Sequence, residues 1–110
     1  SRARAAEAAY RVGWIESRLG RAEQAAAAYA QSRASYTELV ADFPDEPKYQ
    51  RSLAVILNNL GNLYSDLGKL PDAEASHQAA LALRGRLVAD FPAVGAHRSD
   101  LATSYNNLSN

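Results

Sequence analysis

The sequence repeats itself at a fixed offset of 48 residues. The string Ala-Asp-Phe-Pro at 41–44 returns at 89–92, and the pair Leu-Gly at 19–20 returns at 67–68. A longer pattern that begins with Leu-Ala at residue 53 begins again at residue 101. A single fixed period is typical of a repeat protein, in which each unit packs only against its neighbours. Such proteins use extended surfaces, so we expect no catalytic pocket.

Between the repeated strings, apolar residues follow the spacing of amphipathic helices. Gly20 and Gly68 suit helix C-terminal caps, and each of Pro44 and Pro92 disfavours helical geometry in the residue before it. Short turns at the glycines predict antiparallel neighbouring helices. The predicted helices span 2–19, 22–42, 48–67 and 71 to about 89, and a fifth begins near 94–97. The fold class is therefore all-α, with about five helices in a single domain. We expect repeat 1 at about 1–44, repeat 2 at about 45–92, and the first helix of repeat 3 at about 93–110.

Composition excludes several classes of function. The 12 basic and 12 acidic residues balance, and no basic patch suggests nucleic-acid binding. No apolar run is long enough for a membrane span. The chain has no cysteine, which suits a cytoplasmic location and leaves no thiolate metal site. We expect no cofactor and no metal. The absence of methionine and the start inside a helical pattern lead us to expect a segment of a longer protein.

Several positions resemble the tetratricopeptide repeat. In the second repeat Leu57, Leu60-Gly61 and Tyr64 match its first helix, and Ala73 and His77 match its second. Gly13 and Gly61 lie inside helices, where glycine costs about 1 kcal/mol relative to alanine. They therefore predict a close approach of two helices, with Ala25 and Ala73 on the opposite side.

The repeat of 48 residues is longer than the usual unit of about 34. It resembles the long-repeat branch that includes kinesin light chains and many bacterial multidomain proteins. This resemblance implies antiparallel helical hairpins stacked as a right-handed α-solenoid. It also implies a concave face, formed by the first helix of each repeat, that binds a peptide or protein partner.

Residues four apart on the first helix of each repeat form a recurring polar or aromatic face. Asparagine is a mediocre helix former, so its recurrence there indicates a role beyond helix formation. The resemblance places such residues in the concave groove, where amides can both donate to and accept from a peptide backbone. The predicted partner-binding residues are Tyr10, Trp14, Arg18, Asn58, Asn62, Asn106 and Asn110.

Alternatives remain for these residues and for the other polar groups. The asparagines could bridge neighbouring helices, Asn59 and Asn107 above all, and Trp14 could cap the end of the array. His77 occupies the position that is tyrosine in the first repeat. This correspondence predicts that His77 packs between helices and is not a catalytic residue. The acidic residues around Asp45 are typical of turns, with a cation site as the less favoured interpretation.

Three hypotheses for function follow. The favoured one is a non-catalytic module that binds a peptide or partner segment on its concave face, with Arg11 or Arg18 available to an acidic group. The second is a scaffold that self-associates through exposed solenoid ends, since such ends leave apolar faces uncovered. The third is a regulatory segment attached to an enzyme domain elsewhere in a longer chain.

Overall fold

A computed structural model describes residues 1–91 of the 110-residue chain. This part contains four helices and no strand: α1 (Arg2–Arg18), α2 (Ala22–Asp42), α3 (Pro47–Asp66) and α4 (Leu70–Asp90). The all-helical prediction is confirmed for these residues. The predicted fifth helix lies outside the described residues.

Two glycines end the first helix of each hairpin in the same way. Gly20 and Gly68 both have a φ of 77°, a left-handed conformation that other residues rarely adopt. Around Gly20, the Arg21 N–H donates to Glu16 O at 2.9 Å and the Gly20 N–H donates to Ser17 O at 3.1 Å. These two bonds form a Schellman motif, which stops α1 and turns the chain into α2.

The helices pack in chain order, α1 on α2, α2 on α3 and α3 on α4. The contacts between α1 and α2 run in opposite directions along the two helices. Arg2 pairs with Asp42, Ala6 accepts a hydrogen bond from Ser32, and Gly13 lies on the ring of Tyr29. The two helices are therefore antiparallel, as the short turn predicts.

The interface between α2 and α3 forms the centre of the apolar core. α3 is the most strongly amphipathic of the helices in the described part, and its apolar face is almost completely buried. The buried apolar residues of α3 are Leu53, Ala54, Ile56, Leu57, Leu60 and Leu63. Burial of these side chains stabilises the packing of α3 on both α2 and α4.

The rings of Tyr29 and His77 lie against the two helical glycines. A Cβ on Gly13 would lie 2.7 Å from Tyr29 Cδ1, and a Cβ on Gly61 would lie 2.6 Å from His77 Nε2. The close approach predicted from the glycines is therefore present. The predicted positions of Ala25 and Ala73 opposite the glycines stay a prediction, and both alanines are buried.

Candidate binding groove

A groove runs between α1 and α3, with α2 as its floor. Because α1 and α3 are each antiparallel to α2, they run in the same direction and form the two walls. Tyr29 and Tyr36, seven residues apart on α2, face the groove. Both rings are buried, at 2% and 8% exposure, so they form a rigid base.

The wider part of the groove lies at the N-terminal ends of the two walls. It is a cavity of about 550 Å³. Its lining combines tyrosine hydroxyls with charged groups from both walls. The lining residues are Glu7, Tyr10, Tyr36, Lys48, Arg51, Ser52, Val55 and Ile56. Glu7 is paired with Arg11 at 2.8 Å, and α3 contributes the basic residues Lys48 and Arg51 to this part.

The narrower part lies at the C-terminal ends of the walls and has a volume of about 230 Å³. Trp14 stands on one wall, and amide and carboxylate groups stand on the other. The lining residues are Trp14, Ser17, Arg18, Tyr29, Asn59, Asn62, Leu63 and Asp66. This part therefore offers an aromatic ring next to groups that donate hydrogen bonds and groups that accept them.

Two polar residues of the α3 wall face the tyrosines of the floor. The Asn59 side chain lies near the Tyr29 hydroxyl, and the Ser52 side chain lies near the Tyr36 hydroxyl. Burial raises the pKa of both tyrosines above the usual value of 10.0, so their hydroxyls stay protonated at neutral pH. The floor thus presents neutral, oriented hydroxyl groups.

The three predicted residues of α1 line the groove, Tyr10 in its wider part and Trp14 and Arg18 in its narrower part. Tyr10 is half-buried, and its ring centroid lies 5.7 Å from that of Tyr29. Trp14 is 50% exposed, and the guanidinium of Arg18 lies 5.1 Å from the centroid of its ring. The three side chains thus form a continuous aromatic and cationic surface along one wall.

The predicted asparagines divide into three groups. Asn62 is exposed and lines the narrower cavity. Asn58 does not reach an open groove, because it is 7% exposed and packs between α3 and α4. Asn59, which the sequence hypothesis placed between helices, is half-buried next to Tyr29 of α2 and also lines the narrower cavity. Asn106 and Asn110 lie outside the described residues.

A buried polar cluster holds Asn58 in place. Its amide nitrogen donates to His77 Nδ1 at 3.2 Å, and its oxygen accepts from Arg84 at 2.6 and 3.2 Å. The opposite amide orientation would turn its donor towards the guanidinium, so the oxygen faces Arg84. Burial lowers the pKa of His77 below its usual value of 6.5. A neutral imidazole matches this geometry, because only a deprotonated Nδ1 can accept from the amide.

This cluster predicts a pH dependence of stability. The folded state binds a proton at His77 less readily than the unfolded state, so stability falls as pH drops below 6.5 towards the folded pKa. Urea unfolding between pH 7.5 and pH 5 should show this loss, and His77→Tyr should reduce it. His97 remains in that variant as an internal control. An unchanged pH slope in His77→Tyr would contradict a neutral, buried imidazole.

Comparison with known proteins supports the repeat interpretation. Residues 53–93 match the tetratricopeptide repeat family model. This match covers most of α3 and all of α4, the hairpin that contains Gly61 and His77. Tetratricopeptide repeats generally mediate protein–protein interactions and are generally non-catalytic. No curated protein matches the sequence.

Residues 1–91 contain neither a metal-ligand cluster nor a membrane-spanning helix. No group of three or more His, Cys, Asp or Glu side chains there is arranged to hold a metal ion. None of the four helices is both long enough and apolar enough to cross a membrane.

Proposed function

We propose that the chain binds a peptide or an extended segment of a partner protein in the groove between α1 and α3, without catalysis. The observation that carries this proposal is the lining of the groove. An exposed tryptophan stands beside tyrosine hydroxyls and amide groups over a rigid floor. Exposed aromatic residues are frequent anchors in protein interfaces, and amides can pair with a peptide backbone.

The size and charge of the groove fit an extended segment. The α3 wall extends from Lys48 to Asp66, which at about 1.5 Å per helical residue is roughly 27 Å. An extended peptide rises about 3.3 Å per residue, so about eight residues would span this wall. Lys48 at one end of the groove favours an acidic group of the partner there, and Arg18 favours a second one at the other end.

The experiment uses peptides selected from a displayed random library against the whole chain. Trp14 is the only tryptophan, so its fluorescence reports occupation of the groove directly. Trp14→Ala should weaken peptide binding by about 30-fold or more, the effect expected of an interface anchor. Anisotropy of labelled peptides measures the affinity of this variant, which has lost the intrinsic signal.

Val12→Ala is the matched control. Val12 is 51% exposed, like Trp14, and is also on α1, but it lines neither part of the groove. Peptide affinity should change less than about twofold in this variant, as for a residue outside the interface. Asn59→Ala should weaken binding and Asn58→Ala should act mainly through stability. Equal losses for Trp14→Ala and Val12→Ala would contradict the groove as the binding site.

A second candidate function is self-association through the outer face of α1. Val12, Ile15 and Leu19 form a stripe on this face and are 50–60% exposed. Their counterparts 48 residues later are buried or half-buried against α2. Light scattering over a concentration series separates the two candidates, because only self-association requires a second copy of the chain.

A further inference from the structure

Hydroxyl and amide groups that line the α1–α3 groove form two rungs across it. Each rung takes one residue from each of α1, α2 and α3, and the two members from one helix are seven residues apart. Seven helical residues make about two turns, so the rungs lie about 10.5 Å apart along the groove. The first rung contains Tyr10, Tyr36 and Ser52 in the wider part, and the second contains Ser17, Tyr29 and Asn59 in the narrower part.

Donors outweigh acceptors in the lining of the groove. Every member of the rungs can donate a hydrogen bond, since each is a hydroxyl group or an amide, and three basic side chains line the groove as well. Burial raises the pKa of Tyr29 and Tyr36, so these hydroxyls keep their protons at neutral pH. Glu7 and Asp66 bring carboxylate acceptors, but Glu7 is already paired with Arg11. The groove therefore suits a ligand with many acceptors and few donors.

A proline-rich segment has this balance of groups. Proline keeps its backbone carbonyl as an acceptor but has no N–H. An ordinary extended strand would instead bring its N–H groups to walls that are helices, whose backbone carbonyls are already bonded within the helix. The loss of N–H groups thus removes donors that the walls leave without a backbone partner.

The spacing of the rungs also favours such a segment. Proline-rich chains adopt the polyproline II helix, which presents the same face every three residues, or about every 9.3 Å. A β-strand presents the same face every two residues, or about every 6.6 Å. The rung spacing of about 10.5 Å is closer to the polyproline II repeat.

Aromatic side chains of α1 supply contact surface for proline rings. Trp14 is 50% exposed, and the half-buried Tyr10 lies one helical turn before it. Val55 is half-buried on the opposite wall. Polyproline II segments dock in grooves lined by aromatic residues, and they lose little conformational entropy because they are ordered before binding.

We propose that the groove takes a proline-rich segment in the polyproline II conformation, with its carbonyl groups bonded to the two rungs and its proline rings against Trp14 and Tyr10. This inference rests on the proposed function of the groove and names the class of segment that binds there. At about 3.1 Å per residue, about nine residues would span the α3 wall.

The first test uses peptides selected against the whole chain from the displayed random library. The selected peptides should be enriched in proline. In the tightest one, each proline is replaced in turn by alanine, which restores the N–H, and by N-methylalanine, which does not. At the contact positions alanine should weaken binding about tenfold, and N-methylalanine should stay within about threefold of proline. Equal losses for the two replacements would overturn the inference.

The same selection separates this inference from the proposed function. Peptides that lack proline but lose affinity in Trp14→Ala would overturn the inference and leave peptide binding in the groove intact. Peptides whose affinity does not depend on Trp14 would overturn both.

A second test removes one hydroxyl group of the first rung. Tyr10→Phe keeps the ring and should weaken the selected proline-rich peptide about fivefold, the effect of one lost hydrogen bond. Tyr64→Phe is the matched control, because Tyr64 is also half-buried but lines neither part of the groove. Its affinity should change less than about twofold. Equal affinities of the two variants would overturn the bond from the first rung to the segment.

Discussion

Replacing Leu63 with alanine should lower the free energy of unfolding by about 2–5 kcal/mol. Leu63 is 6% exposed and belongs to the core between α2 and α3. The substitution removes three buried carbons and leaves a cavity that two packed helices can close only partly. Urea unfolding followed by circular dichroism measures the loss.

Ile15 provides a control matched in both register and size. It lies 48 residues before Leu63, on α1, and its change to alanine also removes three carbons. Because Ile15 is 50% exposed, we expect a loss of less than about 1 kcal/mol. Equal losses at the two positions would mean that the outer face of α1 is covered in solution, as the self-association hypothesis requires.

The positions of the helices follow directly from the sequence because local signals determine where each one ends. Gly20 and Gly68 can adopt the positive φ that a Schellman motif needs, and Pro47 suits the first turn of α3. The predicted bounds 22–42 agree with those of α2 in the structure. These features depend on neighbouring residues alone, and the sequence contains all of them.

The orientation of the asparagines could not be predicted from local sequence signals. Asn58 and Asn59 are separated by about 100° around α3, and both flank a broad apolar face. Which of them faces the groove depends on α4, since His77 and Arg84 draw Asn58 towards the second hairpin. That contact spans about twenty residues of chain and has no local signal.

A comparison between the two repeats could have indicated that Asn58 contacts the second helix of its own hairpin. In the first repeat Tyr10, Tyr29 and Tyr36 occupy the positions that Asn58, His77 and Arg84 occupy in the second. Three aromatic residues change together to three hydrogen-bonding residues, which is expected if the three positions contact one another. The structure shows Tyr10 against Tyr29 and Asn58 against His77. Joint replacement at a fixed register is thus a better guide to contact than residue type alone.

Replacing Gly13 with alanine should destabilise the protein by about 1–3 kcal/mol, although alanine is the better helix former. The new Cβ would lie 2.7–2.9 Å from Cδ1, Cε1 and Cγ of Tyr29. That ring is 2% exposed and contacts Tyr10, so it has little freedom to move away. The overlap therefore outweighs the gain in helix propensity.

Gly85 on α4 separates the effect of steric overlap from the effect of helix propensity. It is also helical, but among residues 1–91 a Cβ there would meet no atom within 4 Å apart from the glycine's chain neighbours and local helix backbone. Gly85→Ala should therefore stabilise the protein by about 0.5–1 kcal/mol, since only the propensity changes. Thermal and urea unfolding of the two variants should thus shift in opposite directions. A stabilising effect of Gly13→Ala would mean that α1 and α2 are further apart than the contact with Tyr29 requires. Because that ring also forms the floor of the groove, the shape of the candidate site depends on the same close approach.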